Sequence, residues 1–220
     1  MIDIRITAKG FEHPLLENIG ITLNAGELVA LVGPSGCGKT TLLNIIAGLD
    51  QAFSGVVRCS SGPPRTAFMF QEPRLLPWRT LRQNLEIIRP DTQAIDRLLH
   101  VVGLWDQQHK FPSQVSLGMA RRIALLRCFL VEPELLLMDE PLVSLDEASA
   151  RIIRQQLAQQ RAAQPSLTVL YVTHDLEDAC AMADRIIVLG DSPTRILAEL
   201  RAAKPEQIRR LFSDGHPVAD

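Results

Sequence analysis

Disulfides are the first thing this chain lacks. Its four cysteines, Cys37, Cys59, Cys128 and Cys180, are far apart and form no CxxC pair. That excludes a zinc ribbon and points to reduced thiols in a cytosolic protein. Excess basic charge is missing too: 23 Lys and Arg stand against 25 Asp and Glu, for a net charge of −2. Nucleic acid is therefore not expected as a partner. No apolar run is long enough to span a bilayer and no N-terminal signal peptide is visible. If the protein works at a membrane, another subunit supplies the membrane part. Internal repeats and long low-complexity segments are absent as well. What remains is 220 residues of ordinary globular composition, enough for one domain, or one with a small lobe, with a full core.

The chain is organised around Gly33-Pro34-Ser35-Gly36-Cys37-Gly38-Lys39-Thr40-Thr41. The apolar run 28–32 before it reads as a buried strand, and 42–47 after it as a helix. Strand, glycine-rich loop, Gly-Lys-Thr and helix is the phosphate-binding P-loop in its required context. The glycines let consecutive N–H groups turn inward as an anion nest, and the helix adds the positive end of its dipole. Lys39 is placed to reach the β- and γ-phosphates of a nucleoside triphosphate, and the Thr40 hydroxyl to bind Mg²⁺. The alternative, a glycine-rich turn before a helix, leaves Lys39 and Thr40 unexplained. Cys37 sits where the helix dipole and Lys39 would lower its thiol pKa, unless it is only a small residue tolerated in the loop.

A second chemical signal is the run Leu135-Leu136-Leu137-Met138-Asp139-Glu140. Carboxylates at the C-terminal end of a buried strand stand where α/β folds place their chemistry. Asp139 would hold Mg²⁺ through water, and Glu140 would take a proton from an attacking water. His174 follows another apolar run, 169–172, and points to the same edge as Glu140. Residues 1–7 and 15–23 read as a small antiparallel sheet, 56–58 and 66–70 as strands, and 186–189 as the last strand, followed by a short helix and a frayed end. Residues 80–88 and 93–102 have helical spacing, with Thr80 and Thr92 as N-caps and Gly103 at C′. Ser116 caps a long helix through Val131 marked by Arg121, Arg122 and Arg127, and 147–163 forms an amphipathic helix with a solvated face. Residues 75–130 thus read as a helical lobe inserted into an α/β core of residues 1–74 and 131–220. Leu75, Leu76 and Trp78, in a loop with two prolines, suggest a docking face; the alternative is a loop that covers the core. Phe11 would stack on an adenine ring or simply anchor its loop.

In order, the P-loop, Gln71, Ser116-Leu117-Gly118-Met119, Leu136-Leu137-Met138-Asp139-Glu140-Pro141, Ser144-Leu145-Asp146 and His174 resemble the motif set of the ATP-binding cassette (ABC) ATPases over nearly the whole chain. The resemblance implies a P-loop NTPase core, a mixed sheet flanked by helices, with an N-terminal antiparallel β-subdomain and an inserted α-helical subdomain. It implies a head-to-tail dimer, of two copies or of this chain with a related ATPase, which sandwiches two ATP molecules. One subunit would bring the P-loop, Asp139, Glu140 and His174, and the other Ser116 and Gly118. On the same basis Phe11 would stack on adenine, Gln71 would sense Mg²⁺ and the attacking water, His174 would touch the γ-phosphate, and Asp146 would lie in the loop crossing the dimer.

The stretches Phe70-Gln71-Glu72-Pro73-Arg74-Leu75-Leu76-Pro77-Trp78 and Ala183-Asp184-Arg185-Ile186-Ile187-Val188-Leu189, with Met119 after the signature glycine, are similar to ATPases of nitrate, sulfonate and taurine importers and of importers of pyrimidine (thiamine) precursors. That implies a permease docking near residues 71–78, a solute-binding protein outside the membrane, and a peripheral position on its cytoplasmic face. Three departures stand out. Leu117 replaces the first signature glycine, Val143 stands where the family tends to have serine, and the stretch between P-loop and Gln71 is short. If position 117 needs positive φ, leucine costs roughly 1 kcal/mol or more there; if not, its side chain is expected to crowd a partner's γ-phosphate. Two rival readings follow: a nucleotide-binding but weakly hydrolysing partner of another ATPase, and a soluble P-loop kinase. The kinase explains neither the Ser116 helix, nor His174, nor the 75–78 loop.

Overall fold

A computed structural model of the chain describes residues 1–10, 12–60 and 62–213. Nine strands and seven α-helices occur among them. Strands β1 (Ile2–Gly10), β2 (Pro14–Leu23) and β4 (Ser54–Cys59) form an antiparallel sheet in the order β2-β1-β4. The larger sheet contains β3 (Leu28–Val32), β5 (Thr66–Met69), β6 (Leu135–Asp139), β7 (Thr168–Thr173), β8 (Arg185–Gly190) and β9 (Arg195–Leu200), in the order β5-β6-β7-β3-β8-β9. Its strands run parallel except for β9, which pairs antiparallel with β8. The expected α/β class with an antiparallel subdomain is observed.

The central strands β3, β6, β7 and β8 are buried along their whole length. A strand covered on both faces reads as a continuous apolar run because alternate residues enter different cores. Here Leu28, Ala30 and Val32 join one cluster while Val29 and Leu31 join the other. The first cluster gathers residues of α2 (Leu81–Glu86), α3 (Thr92–Val101), α4 (Leu117–Leu130), α5 (Glu147–Ala163), α6 (Leu176–Met182) and α7 (Pro205–Ser213). The second gathers β1, β2 and α1 (Lys39–Ile46), so this helix lies between the two sheets. Each fully buried Leu or Ile contributes about 1.5–3 kcal/mol of transfer free energy, which fixes both faces of the sheet that carries the site.

Residues 56–58 and 66–70 form strands as expected, in different sheets: β4 pairs with β1 and β5 with β6. Two expectations need correction. Ile186–Leu189 is not the last strand: Arg195–Leu200 adds an edge strand whose exposed and half-buried residues mask its pattern. The cap of α3 is Asp91, whose carboxylate accepts from Ala94 N, not Thr92. The Thr80 and Ser116 caps are found as read, and Gly103, with φ 66°, follows the C-cap of α3. No helix among the described residues is long and apolar enough to cross a membrane. Phe11 lies outside the described residues.

Candidate active site

The parallel strands present their C-terminal ends to one cavity of about 320 Å³. Its lining includes Ser35, Gly36, Gly38, Lys39, Thr40 and Thr41 of the P-loop, Gln71, Asp139, Glu140, and also Leu15 and Val172. Gly36 and Gly38 hold φ of 80° and 89°, values that side chains disfavour and an anion nest requires. Lys39 is only 7% exposed, and its Nζ donates to Gly33 O at 2.9 Å and Pro34 O at 2.7 Å. The loop's own carbonyls thus hold the cation at the mouth of the nest.

Of the two readings of Cys37, the small residue tolerated in the loop is the one that fits. Burial pushes its thiol above the ordinary value and outweighs the opposing pull of Lys39. The direction is opposite to that of an activated thiol.

Across β7, the end of β6 delivers the two acids. Thr40 Oγ1 donates to Asp139 Oδ2 at 2.8 Å. The other oxygen, Asp139 Oδ1, is buried with no hydrogen-bond partner among the described residues. Burial pushes the Asp139 carboxyl above the usual carboxylate range; the Thr40 hydroxyl and Lys39 oppose the rise, and the Glu140 charge adds to it. A desolvated carboxylate with one free oxygen beside a hydroxyl suits a hard divalent cation that keeps water and phosphate ligands. Mg²⁺ therefore fits Thr40 and Asp139. No group of three His, Cys, Asp or Glu that could cage a metal by itself occurs among the described residues.

Glu140 adopts φ 48°, a left-handed conformation costing a non-glycine residue on the order of 1–3 kcal/mol. Three contacts hold it there. Its N–H donates to Val172 O at 3.0 Å, its carbonyl accepts from Arg121 at 3.4 Å, and its Oε2 lies 2.9 Å from His174 Nδ1. The turn lifts the carboxylate out of the strand ladder, which ends at the Asp139–Val172 pair, and into reach of His174.

Ser116, Gly118 and Asp146 lie apart from this cavity. Ser116 Oγ caps α4 by accepting from Met119 N at 3.2 Å, and borders a separate depression with Glu72, Pro73, Leu75 and Leu117. Asp146 caps α5 through Ser149 N at 2.9 Å. Gly118 is needed for room: a Cβ there would stand 2.4 Å from Ser149 Oγ and 2.9 Å from Ser149 Cβ. Leu117 is the first residue of α4 and is not among the residues of positive φ. The strain considered for it does not arise, while its side chain remains 43% exposed next to Ser116.

The 73–78 loop is neither fully buried nor free. Leu75 packs on the core, and Trp78 is 68% exposed. Buried Asn84 fastens the loop, accepting from Leu76 N at 2.8 Å and donating to the carbonyls of Leu76, Arg79 and Thr80.

Sequence reasoning took Arg121 as a polar marker of its helix, yet it is 3% exposed and bonded to the loops of the site. The available signal was spacing: Arg121 falls three residues after Gly118 and four before Leu125, on a buried face.

A nest after a parallel strand, a lysine at its mouth, and a strand-end Asp-Glu pair define a P-loop nucleotide-binding protein. Residues 16–143 match the ABC transporter family, and the chain belongs to it; it is an ATPase of that family. Similar proteins include an aliphatic sulfonates import ATP-binding protein of Pseudomonas syringae pv. tomato, 42% identical over 203 residues (90% of this chain, 86% of that protein). Another of the same description, from Rhodococcus jostii, is 44% identical over 181 residues (80% and 74%). Among solved structures, the ATP-binding subunit of an ABC transporter matches with TM-score 0.79 and 26% identity, over 97% of this chain and 93% of that one. A dimeric ATP-binding cassette in a post-hydrolysis state, bound to ADP and Pi, matches with TM-score 0.79 and 27% identity, over 93% and 100%.

Proposed function

We propose that this chain hydrolyses ATP to drive import of a small organic anion, with an aliphatic sulfonate as the first candidate. The 2.9 Å contact between His174 and the strained Glu140, beside the phosphate nest, carries the catalytic part. The sulfonate assignment rests on the similarity to the aliphatic sulfonates import proteins.

In the proposed mechanism the P-loop amides and Lys39 bind the β- and γ-phosphates, Lys39 exchanging its Gly33 and Pro34 carbonyls for phosphate oxygens. Thr40, Asp139 and Gln71 would hold Mg²⁺, which neutralises charge on the phosphates. Gln71 and Glu140 hold the attacking water. Its oxygen bonds to the γ-phosphorus, the bond to the bridging oxygen of ADP breaks, and its proton passes to Glu140. His174 keeps the Glu140 carboxylate oriented and meets the γ-phosphate. Ser116 and Gly118, remote from the chain's own cavity, act on the nucleotide of a second subunit, and Asp146 lies in the loop between them. The dimeric cassette among the similar structures supports this arrangement. Phe11 is assigned to adenine.

The permease is proposed to dock where residues 71–78 border a groove of about 440 Å³ lined by Phe68, Phe70, Arg74, Ile88 and Arg127, between the core and the helical lobe of residues 75–130. That docking would place the chain at the cytoplasmic face of the membrane and link it indirectly to a solute-binding protein. The experiment is phosphate release by the purified chain beside Glu140→Gln. The variant is expected to retain ATP and lose turnover by about a hundredfold or more; parental turnover would remove Glu140 as the base.

A further inference from the structure

Arg121 lies one turn into α4, on the helix that begins after Ser116. Its guanidinium turns into the protein, and among the described residues its hydrogen bonds all go to main-chain carbonyls. Nη1 donates to Pro141 O at 3.3 Å, to Glu140 O at 3.4 Å and to Val143 O, and Nη2 donates to Gln71 O at 3.2 Å. These acceptors belong to the loop of Gln71 and to the two halves of the turn that leads from Glu140 to Asp146. The remaining donor, Nε, is buried without a partner among the described residues. Its position is thus set by the fork of Nη contacts and not by saturation of every donor.

Burying a guanidinium costs hydration that only well-aimed acceptors return. Burial presses its pKa down, and the neighbouring Glu140 charge opposes that change. The planar fork is suited to drawing several carbonyls to one point. Neighbouring Arg122 behaves differently: it bonds to Val102 O at 2.7 Å and Gly118 O at 3.3 Å, both within the 75–130 segment. Arg121 alone of this pair crosses from the Ser116 helix to the loops of the site. The Glu140 peptide, already in a left-handed conformation, has its carbonyl oxygen held from this side.

We infer that Arg121 is a positioning residue for hydrolysis: its guanidinium fixes the Gln71, Glu140 and Val143 main chain against the helix beginning after Ser116, so that the signature helix and the water-activating groups move as one. This rests on the roles proposed for Gln71 and Glu140. Arg121 itself touches no reacting atom.

The test is steady-state ATP turnover by the full chain for Arg121→Met, Arg121→Lys and Glu140→Gln, with rates normalised to bound nucleotide. Arg121→Met is expected to lower kcat by about tenfold to a hundredfold and leave KM for ATP within about twofold. Arg121→Lys is expected to recover part of the loss, because its ammonium reaches the same carbonyls without the fork. Met and Lys fill similar space, so equal rates in the two variants would overturn the inference, as would a kcat within about twofold of the parent in Arg121→Met. If Arg121→Met does not fold, Arg121→Lys decides: a lower kcat at unchanged KM supports the inference and parental kcat defeats it. Turnover surviving in Glu140→Gln would overturn the base assignment instead, so the two failures are distinguishable.

Discussion

The two ends of the larger sheet use polar residues in opposite ways. At the end where β3 and β8 begin, the carboxylates of Glu27 and Asp184 are paired. Glu27 accepts from Arg185 Nε and Nη2 at 2.9 Å and from Arg201 at 3.1 Å, and Arg185 also bonds Glu199 at 2.6 Å. Asp184 accepts from Leu28 N at 2.7 Å and from Arg161 at 2.6 Å. At the other end, Asp139 keeps one oxygen unpartnered, and Glu140 and Ser144 hold left-handed φ of 48° and 59°. One end spends its hydrogen bonds on the fold; the other withholds them for a ligand. Polar residues are therefore no guide to a site by number; what marks the site end is a buried carboxylate oxygen left without a partner among the described residues.

Asp139→Asn should break the contrast most sharply. Turnover should fall about a hundredfold or more, yet the protein should melt at a higher temperature, because the substitution removes a buried charge. Calorimetry without nucleotide, beside phosphate release, checks both; a lower melting temperature would mean that Asp139 already supports the fold. Glu27→Gln should do the reverse. Losing a buried charge partner of Arg185 should cost about 2 kcal/mol, read by urea unfolding, with kcat per folded molecule unchanged. A loss of kcat would show that the two ends are coupled.

Acid separates the two carboxyls. Burial pushes Glu27 up, but hydrogen bonds from Arg185 and Asn24 outweigh it, leaving a folded value below the ordinary one. Its stabilisation is then complete above about pH 4.3 and lost as pH falls further, toward the lowered value. Asp139 has the opposite sign: its folded value is raised, so its ionised form costs stability that is relieved as pH falls through that raised value. In a pH series the advantage of Asp139→Asn should vanish first and the deficit of Glu27→Gln last; the reverse order would contradict the assigned signs. The smallest effect belongs to Leu117→Gly. With no backbone strain to relieve, it should lower stability by about 0.5–1 kcal/mol, and turnover should change less than about threefold unless the exposed side chain crowds a partner's γ-phosphate. Turnover rising more than tenfold would instead favour the weakly hydrolysing reading.

Legibility in the sequence follows the same division. The P-loop, the Asp139-Glu140 strand end, the Gln71 position and the Ser116 cap could be read because each couples a residue type to a fixed offset from a strand or helix end. β9 escaped because an edge strand with solvent on one side lacks a long apolar run. The two readings of Cys37 stand open in the sequence because a neighbouring cation is visible there and burial is not. Arg121 was missed for the same reason: an arginine reads as surface until the carbonyls around it are known.

The contact between Gly118 and Ser149 carries one more consequence. The distances that a Cβ at 118 would meet, 2.4 Å to Oγ and 2.9 Å to Cβ of Ser149, mean that two positions 31 residues apart share room for a single small side chain. A side chain at 118 therefore requires Ser149 to move or to lose its own, so substitutions at the two positions are coupled.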